Sequence, residues 1–416
     1  MTYYTAEWIY TGEHMLRDAY LEVHEGRVVD LAPLNQLAPR AFRDMIAFED
    51  ALLMPGLVNA AANATAWITP LSHAPLQAVT SAQTNTYQAA LMFYAEQLRQ
   101  GVTTVADLVW LETLESGALA QLVAEKKRAA LSLGIRLVPA IVLNSPQDWT
   151  MLSAWRNQQP PDQAFLWVLR VSQACPWSVW ESAWQLFKPP AANAEAASES
   201  LMNEPLLWWV DDALTGANGT GGSSSESSML RLPDAMLNPA RPQAIMHALP
   251  TAYLFNASTS RAANTNEPAA QVLRFGMEWF GTGLQANSTR SAMGNLLKLA
   301  FAQSRAALSS SGVPTSTNDS AAMPMFMRAA QSAAKVLQLP LGKLAKGAFG
   351  DCIVIDLEHI SLLPRPTQPD ALPDWLVACW DAAAIRTVMV GGKKVYHLGV
   401  WQHLTNEAEL TASPFA

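Results

Sequence analysis

Asp211 and Asp212 close the apolar run Leu206-Leu-Trp-Trp-Val and are acid/base candidates in this 416-residue chain. A pair of carboxylates can divide the roles of general acid and general base when their surroundings separate their pKa values. Adjacent residues on a strand point to opposite faces, however, so these two do not readily share a proton. His73, in Pro70-Leu-Ser-His-Ala-Pro-Leu, is the third candidate, against the plainer reading of an ordinary loop histidine. His247 lies in the apolar stretch Ala244-Ile-Met-His-Ala-Leu-Pro and reads as a packing residue. Arg170 and Gln173 follow the run Leu166-Trp-Val-Leu. Arg170 can hold an anion or pair with Asp211 or Asp212, and pairing is the favoured reading. No Gly-x-Ser-x-Gly elbow, P-loop or dinucleotide fingerprint is present.

The elements that must position these residues fall into two patterns. Residues 1–52 read as short strands and turns, with Leu21–Asp30 alternating around Glu25-Gly26 as a hairpin does. The far end mirrors this: Asp351-Cys-Ile-Val-Ile-Asp is a buried-strand run, and Thr387–Tyr396 is a second hairpin around Gly391-Gly392. The two ends are expected to pair into one β-domain with the middle inserted between them. That middle alternates helices with apolar strands, the pattern of a parallel α/β fold. Helices are expected over Gln88–Gln100, stopped by Gly101, and over Ala118–Leu133, stopped by Gly134. Strands are expected at Val102–Asp107, Ile135–Val142, Leu166–Arg170, Leu206–Val210, Tyr253–Asn256 and Met277–Gly283. Thr215–Ser228 and Ser309–Ala322 are low-complexity stretches that read as surface loops.

Composition narrows the function classes. Half of the residues are hydrophobic, which is ample for a large core, and the net charge of −8 argues against a nucleic-acid surface. No uninterrupted apolar stretch of about 20 residues predicts a membrane span, and the N-terminal residues lack the layout of a signal peptide. Three widely spaced cysteines, Cys175, Cys352 and Cys379, fit a reducing cytoplasm better than a disulfide framework. Six of the 15 tryptophans (Trp167, Trp177, Trp180, Trp184, Trp208 and Trp209) gather in one region. Core packing is the favoured reading, and an aromatic pocket wall or subunit interface is the sharper one.

Met54-Pro-Gly-Leu-Val-Asn59, Gly101-Val-Thr-Thr-Val-Ala-Asp107, Asn256-Ala-Ser-Thr-Ser, Gly281-Thr282 and Leu341–Asp356 follow one another in an order that resembles the amidohydrolase superfamily. The closing run Ala384–Val395 is similar to that family's last hairpin. The branch most resembled is that of the triazine hydrolases and aminohydrolases, including deaminases and chlorohydrolases. The resemblance implies a (β/α)8 barrel over residues 55–340, inserted into a small composite β-sandwich domain made of residues 1–54 and 341–416. It also implies a metal, zinc or iron, held by a His-x-His pair on the first strand, two later histidines and an aspartate. Such an ion lowers the pKa of a bound water toward about 7.

Carried onto this sequence, that ligand set is missing. The first pair falls on Ala61 and Asn63, the later histidines on Trp209 and Phe255, and the aspartate on Gly283; the family's proton-shuttling Glu corresponds to Asp212. A methyl group, an amide and two apolar rings do not replace four imidazoles. Only His73 and His247 lie between residues 56 and 340, so no realignment supplies four histidines to the barrel. Within the resemblance, His73 borders the substrate pocket and Asp107 tethers a loop. Asn63, Arg170, Gln173, Asn256, Gln285, Asn287 and Arg290 line a neutral-to-basic pocket.

The expectation is a degenerate amidohydrolase homologue without a metal cofactor, acting as a binding or regulatory subunit. Its partner would be a second copy of itself or a catalytically competent relative, with a small heterocycle as possible ligand and neither nucleic acid nor membrane involved. The competing expectation is an active enzyme of relocated, metal-independent chemistry using Asp211, Asp212 or His73.

Overall fold

The structure is a computed structural model and describes residues 1–65, 85–109, 116–160, 163–171, 174–183, 206–210 and 322–404, with the isolated positions 294, 297, 298 and 410.

Both chain ends build one sheet. From the N-terminal side come β1 (Thr2–Tyr10), β2 (Met15–Arg17), β3 (Ala19–His24), β4 (Arg27–Pro33) and β5 (Met45–Pro55). From the C-terminal side come β11 (Cys352–Asp356), β12 (Ile385–Val390), β13 (Lys393–His397) and β14 (Val400–Trp401). Their order is β14-β13-β12-β11-β5-β1-β3-β4, with β2 on β1. The seam between the two ends is the antiparallel pairing of β11 with β5, Val354 opposite Leu53 and Ile355 opposite Leu52. One face is closed by Tyr4, Ile9, Leu21, Phe48, Leu53, Val354 and Met389, all buried. The closing hairpin turns through Gly391 and Gly392, at φ of 57° and 71°. Two successive positive φ values match the right-handed twist of the flanking strands, and glycine adopts them without a Cβ penalty.

The chain passes from this sheet into the second at Pro55-Gly56. The second sheet is parallel, in the order β10-β9-β8-β7-β6. Its strands are β6 (Leu57–Ala62), β7 (Val102–Val109), β8 (Arg136–Leu143), β9 (Leu166–Val171) and β10 (Leu206–Val210). Gly56 is demanded by a close approach: a Cβ there would stand 2.2 Å from Thr103 Oγ1. The Gly56 N–H donates to Asp351 O at 3.0 Å, which ties the crossing point to the strand of the returning C-terminal segment.

Helices cover the parallel strands, as parallel pairing requires. They are α1 (Thr86–Arg99), α2 (Ser116–Leu133), α3 (Pro146–Asn157) and α4 (Trp177–Ala183), with α5 (Ala322–Leu337) and α6 (Leu372–Cys379) later in the chain. The Asn85 side chain accepts from the Gln88 N–H at 3.1 Å and caps the start of α1. Asp148, the third residue of α3, reaches back to the start of the helix in a capping box with Ser145, accepting from the Asn144 and Ser145 N–H groups at 2.6 and 2.9 Å. The expected strands and helices from residue 88 to 143 are present: α1 and α2 begin two residues earlier, α1 ends one residue sooner, β7 runs two residues further, and β8 lies one residue later. α3, α4, α5 and α6 had no counterpart in the sequence reading. Tyr253–Asn256, Met277–Gly283 and most of the two low-complexity stretches lie outside the described residues.

Candidate functional site

In a parallel α/β fold the chemistry gathers at the carboxyl ends of the strands. Here those ends are set by residues 61–65, Val109, Leu143, Val171 and Val210. Strand alternation tells which side chains reach the interior. On β9, Trp167 meets Trp149 of α3 edge-on at 4.9 Å, and Phe165 meets Trp155 of α3 at 5.5 Å. Odd-numbered residues of β9 therefore face the helices, and Val168 and Arg170 face the other side. Arg170 is half-buried, with Nη1 3.4 Å from Asn144 Oδ1 at the end of β8. Its backbone carbonyl accepts from Trp180 Nε1 at 2.9 Å, which fixes the end of β9 against α4. Trp167 and Trp180 are fully buried and act as core, in line with the plain reading of the tryptophans.

The first strand is held by polar contacts along its length. The Thr103 hydroxyl donates to Leu57 O at 3.3 Å. Asn59 Nδ2 donates to Gln97 Oε1 of α1 at 2.8 Å, with both residues buried. Between Asn59 and Ala62 the pairing of β6 with β7 shifts register. Such an irregularity re-aims the side chains that follow. Beyond it, the Ala64 N–H donates to Asp107 Oδ1 at 3.0 Å.

Asp107 is the centre of a wholly buried cluster. Its Oδ2 accepts from the Tyr94 hydroxyl of α1 at 2.7 Å and pairs with Lys126 Nζ of α2 at 2.8 Å. Lys126 Nζ also donates to Leu108 O at 2.6 Å. The side chains of Lys126 and Asp107 are 2% and 0% exposed, so neither charge is shared with water. Burial, then the Asp107 carboxylate, pushes the Tyr94 phenol well above its usual range and keeps it a donor. The loop-tethering expected of Asp107 is what its contact to Ala64 performs.

Cys175, near Asp148, is not poised as a nucleophile. Burial, followed by the Asp148 charge, raises its pKa and keeps it a thiol.

The structure covers part of the candidate set. It describes Asn63 and Arg170, and the backbone of Ala61 and Trp209. Trp209 stands opposite Arg170 in the β10–β9 register. His73, Gln173, Asp211, Asp212, Phe255, Asn256, Gly283, Gln285 and Asn287 lie outside the described residues, as does Arg290.

No family model matches this sequence. No curated protein matches it either. Solved structures do. An adenosine deaminase from Xanthomonas campestris with bound zinc has a TM-score of 0.67 at 15% identity, over 99% of this chain and 96% of that one. An amidohydrolase from Brucella melitensis has a TM-score of 0.66 at 14% identity, over 99% and 98%. The fold is that of the amidohydrolases. An atrazine chlorohydrolase from Arthrobacter aurescens TC1, complexed with zinc, has a TM-score of 0.62 at 15% identity, over 99% and 98%. The amidohydrolase fold joins a barrel of parallel strands to a separate β-sheet, and β6 is the first strand of that barrel in this chain.

The donor set at the end of β6 does not fit a catalytic metal. Ala61 offers no donor atom, and the neutral amide of Asn63 is a poor substitute for imidazole on zinc. Among the described residues, no group of three or more His, Cys, Asp or Glu side chains is placed to hold a metal ion. No described helix is long and apolar enough to cross a membrane.

Proposed function

We propose that this chain is a metal-free derivative of the amidohydrolase fold, acting as a binding or regulatory subunit in place of a hydrolase. The observation that carries the reading is the pair Ala61 and Asn63 at the end of β6, where an amidohydrolase would present two imidazoles. The histidine count supports it, since the chain has seven histidines and only His73 and His247 between residues 56 and 340. The lining expected from the sequence is polar and contains no evident nucleophile and base, which suits recognition of a small heterocycle such as a purine or pyrimidine. The partner is a second copy of the chain or a catalytically competent relative, in the cytoplasm.

Elemental mass spectrometry of the purified protein, before and after zinc reloading, tests this reading. The expected result is far less than one metal ion per chain, unchanged by reloading. Stoichiometric zinc in the folded protein would sink it. Thermal-shift screening with purines and pyrimidines then follows, with a shift and no turnover expected. Should turnover of a heterocycle be observed, alanine at Asp211, Asp212 or His73 would identify relocated chemistry by abolishing it in a folded protein.

A further inference from the structure

The segment 61–65 is bracketed. Before the register shift, Asn59 is held by Gln97 of α1. After it, the Ala64 N–H is held by Asp107, which Tyr94 of α1 and Lys126 of α2 hold in turn. Tyr94 and Gln97 are three residues apart on α1, hence on one face, so a single helix grips the strand on both sides of the shift. Lys126 adds a second helix and, through Leu108 O, the end of β7.

This grip is not incidental. A buried carboxylate that lost one partner would be left with an uncompensated charge, so its geometry is tightly determined. Asp107 Oδ2 has two donors at 2.7 and 2.8 Å, which leaves Oδ1 turned to the Ala64 amide. The position of that amide, and with it the exit of the chain from β6, follows from side chains in the helix layer.

We propose that the Lys126–Asp107–Tyr94 cluster, together with Asn59–Gln97, is a clamp that sets the conformation of residues 61–65 without any metal ion. This rests on the metal-free reading above and extends it. The mouth of the fold is preformed by protein contacts, so the chain can present a binding surface where an amidohydrolase would need its ion in place. Tyr94, Lys126, Asp107 and Gln97 are buried positioning residues: the first three act on the Ala64 amide through Asp107, and Gln97 acts on the Asn59 side chain.

Hydrogen exchange read by mass spectrometry on peptides covering residues 57–65, in the full-length protein with and without zinc, tests the clamp. Y94F keeps the ring and removes one buried hydrogen bond. It should speed exchange in 57–65 by about tenfold, the size of one such bond. K126M should speed it further. R136K weakens the molecule at the opposite end of the strands and serves as the control, leaving 57–65 unchanged relative to the rest. Zinc should have no effect on the unmodified chain. If Y94F speeds exchange in 57–65 no more than elsewhere, the clamp is overturned while the functional reading stands. If zinc slows exchange there, the metal-free reading falls, and with it the claim that the clamp suffices.

Discussion

Two charged pairs fasten the parallel strands, one at each end, and they are built on opposite principles. At the carboxyl end, Lys126 and Asp107 are 2% and 0% exposed. At the amino end of β8, Arg136 meets Asp351 through two hydrogen bonds of 2.9 Å, the arginine side chain 24% and the aspartate side chain 3% exposed. Arg136 also lies over the Phe349 ring at 3.7 Å, with Arg27 over the same ring at 4.8 Å. Asp351 takes a third donor, the Gly391 N–H at 2.8 Å. The amino-end pair staples the barrel to the separate sheet and keeps access to water. The carboxyl-end pair excludes water and orders a backbone segment. The planar, stackable guanidinium suits the first task, and a point-charge ammonium held by two oxygens, Asp107 Oδ2 and Leu108 O, suits the second. On the metal-free reading proposed above, a site that must keep its shape unaided calls for the dry arrangement; a joint between two sheets does not.

The comparison breaks if Lys126 proves dispensable. K126M leaves the Asp107 carboxyl buried without its cation, so the urea midpoint should fall by the equivalent of about 3–5 kcal/mol. The double variant D107N/K126M should recover part of that loss. Its amide oxygen still accepts from the Ala64 N–H, its NH2 group can donate to the Tyr94 hydroxyl oxygen, and no charge is stranded. A K126M protein within about 1 kcal/mol of the parent would make this pair no different from a surface one.

The staple at the other end should be more forgiving. R136A removes the stack on Phe349 and both hydrogen bonds, yet Asp351 keeps the Gly391 amide and gains water where the side chain stood. A loss of about 2 kcal/mol is expected, intermediate between surface and buried pairs. R136K should fall between parent and alanine, since lysine restores the charge without the fork or the stack. A loss from R136A as large as that from K126M would erase the distinction between wet and dry pairs.

The sequence disclosed the staple's surroundings far better than the clamp. Local turn chemistry placed both hairpins, and glycines placed the ends of α1 and α2, because those signals act within a few residues. Asp107 stood out as an acid closing an apolar strand. Lys126 did not: it sits in Glu125-Lys-Lys-Arg128, which reads as a solvated stretch. Its helical phase was the available signal. Leu119, Val123, Ala130 and Leu133 form the buried stripe of α2, and Lys126 falls on it at the i, i+3, i+4 spacing. A charge on the apolar stripe of a helix calls for a buried counter-charge, and Asp107 was the one at hand. Tyr94 and Gln97 were hidden for a different reason. Their roles depend on which face of α1 meets β6, which is fixed by tertiary packing. At the site itself the sequence reported what is absent at 61 and 63. It could not report that the segment is gripped from both sides, since the four gripping residues come from three other elements.

A third charged pair extends the comparison toward the solvent and carries the smallest expected effect. Arg365 donates to both oxygens of Glu7 at 2.9 and 2.6 Å, and Trp8 Nε1 donates to the same carboxylate at 3.1 Å. These contacts, Arg365 foremost, hold the Glu7 pKa below its usual range. A carboxylate whose pKa is lowered on folding contributes stability above its unfolded value of about 4.3, and that contribution is lost as pH falls through the folded value. E7Q should therefore cost less than about 1 kcal/mol near neutral pH, and less again in 1 M salt, where pairs near the surface are screened. The gap between parent and E7Q should close in acid, because the parent then carries a protonated Glu7 while the variant is unaffected. The Lys126–Asp107 pair gives the contrasting result: with water excluded from both partners, the cost of K126M should survive 1 M salt nearly unchanged. Equal salt sensitivity in the two variants would mean that water reaches Asp107, and a wet Asp107 could not hold the Ala64 amide as firmly as the clamp requires.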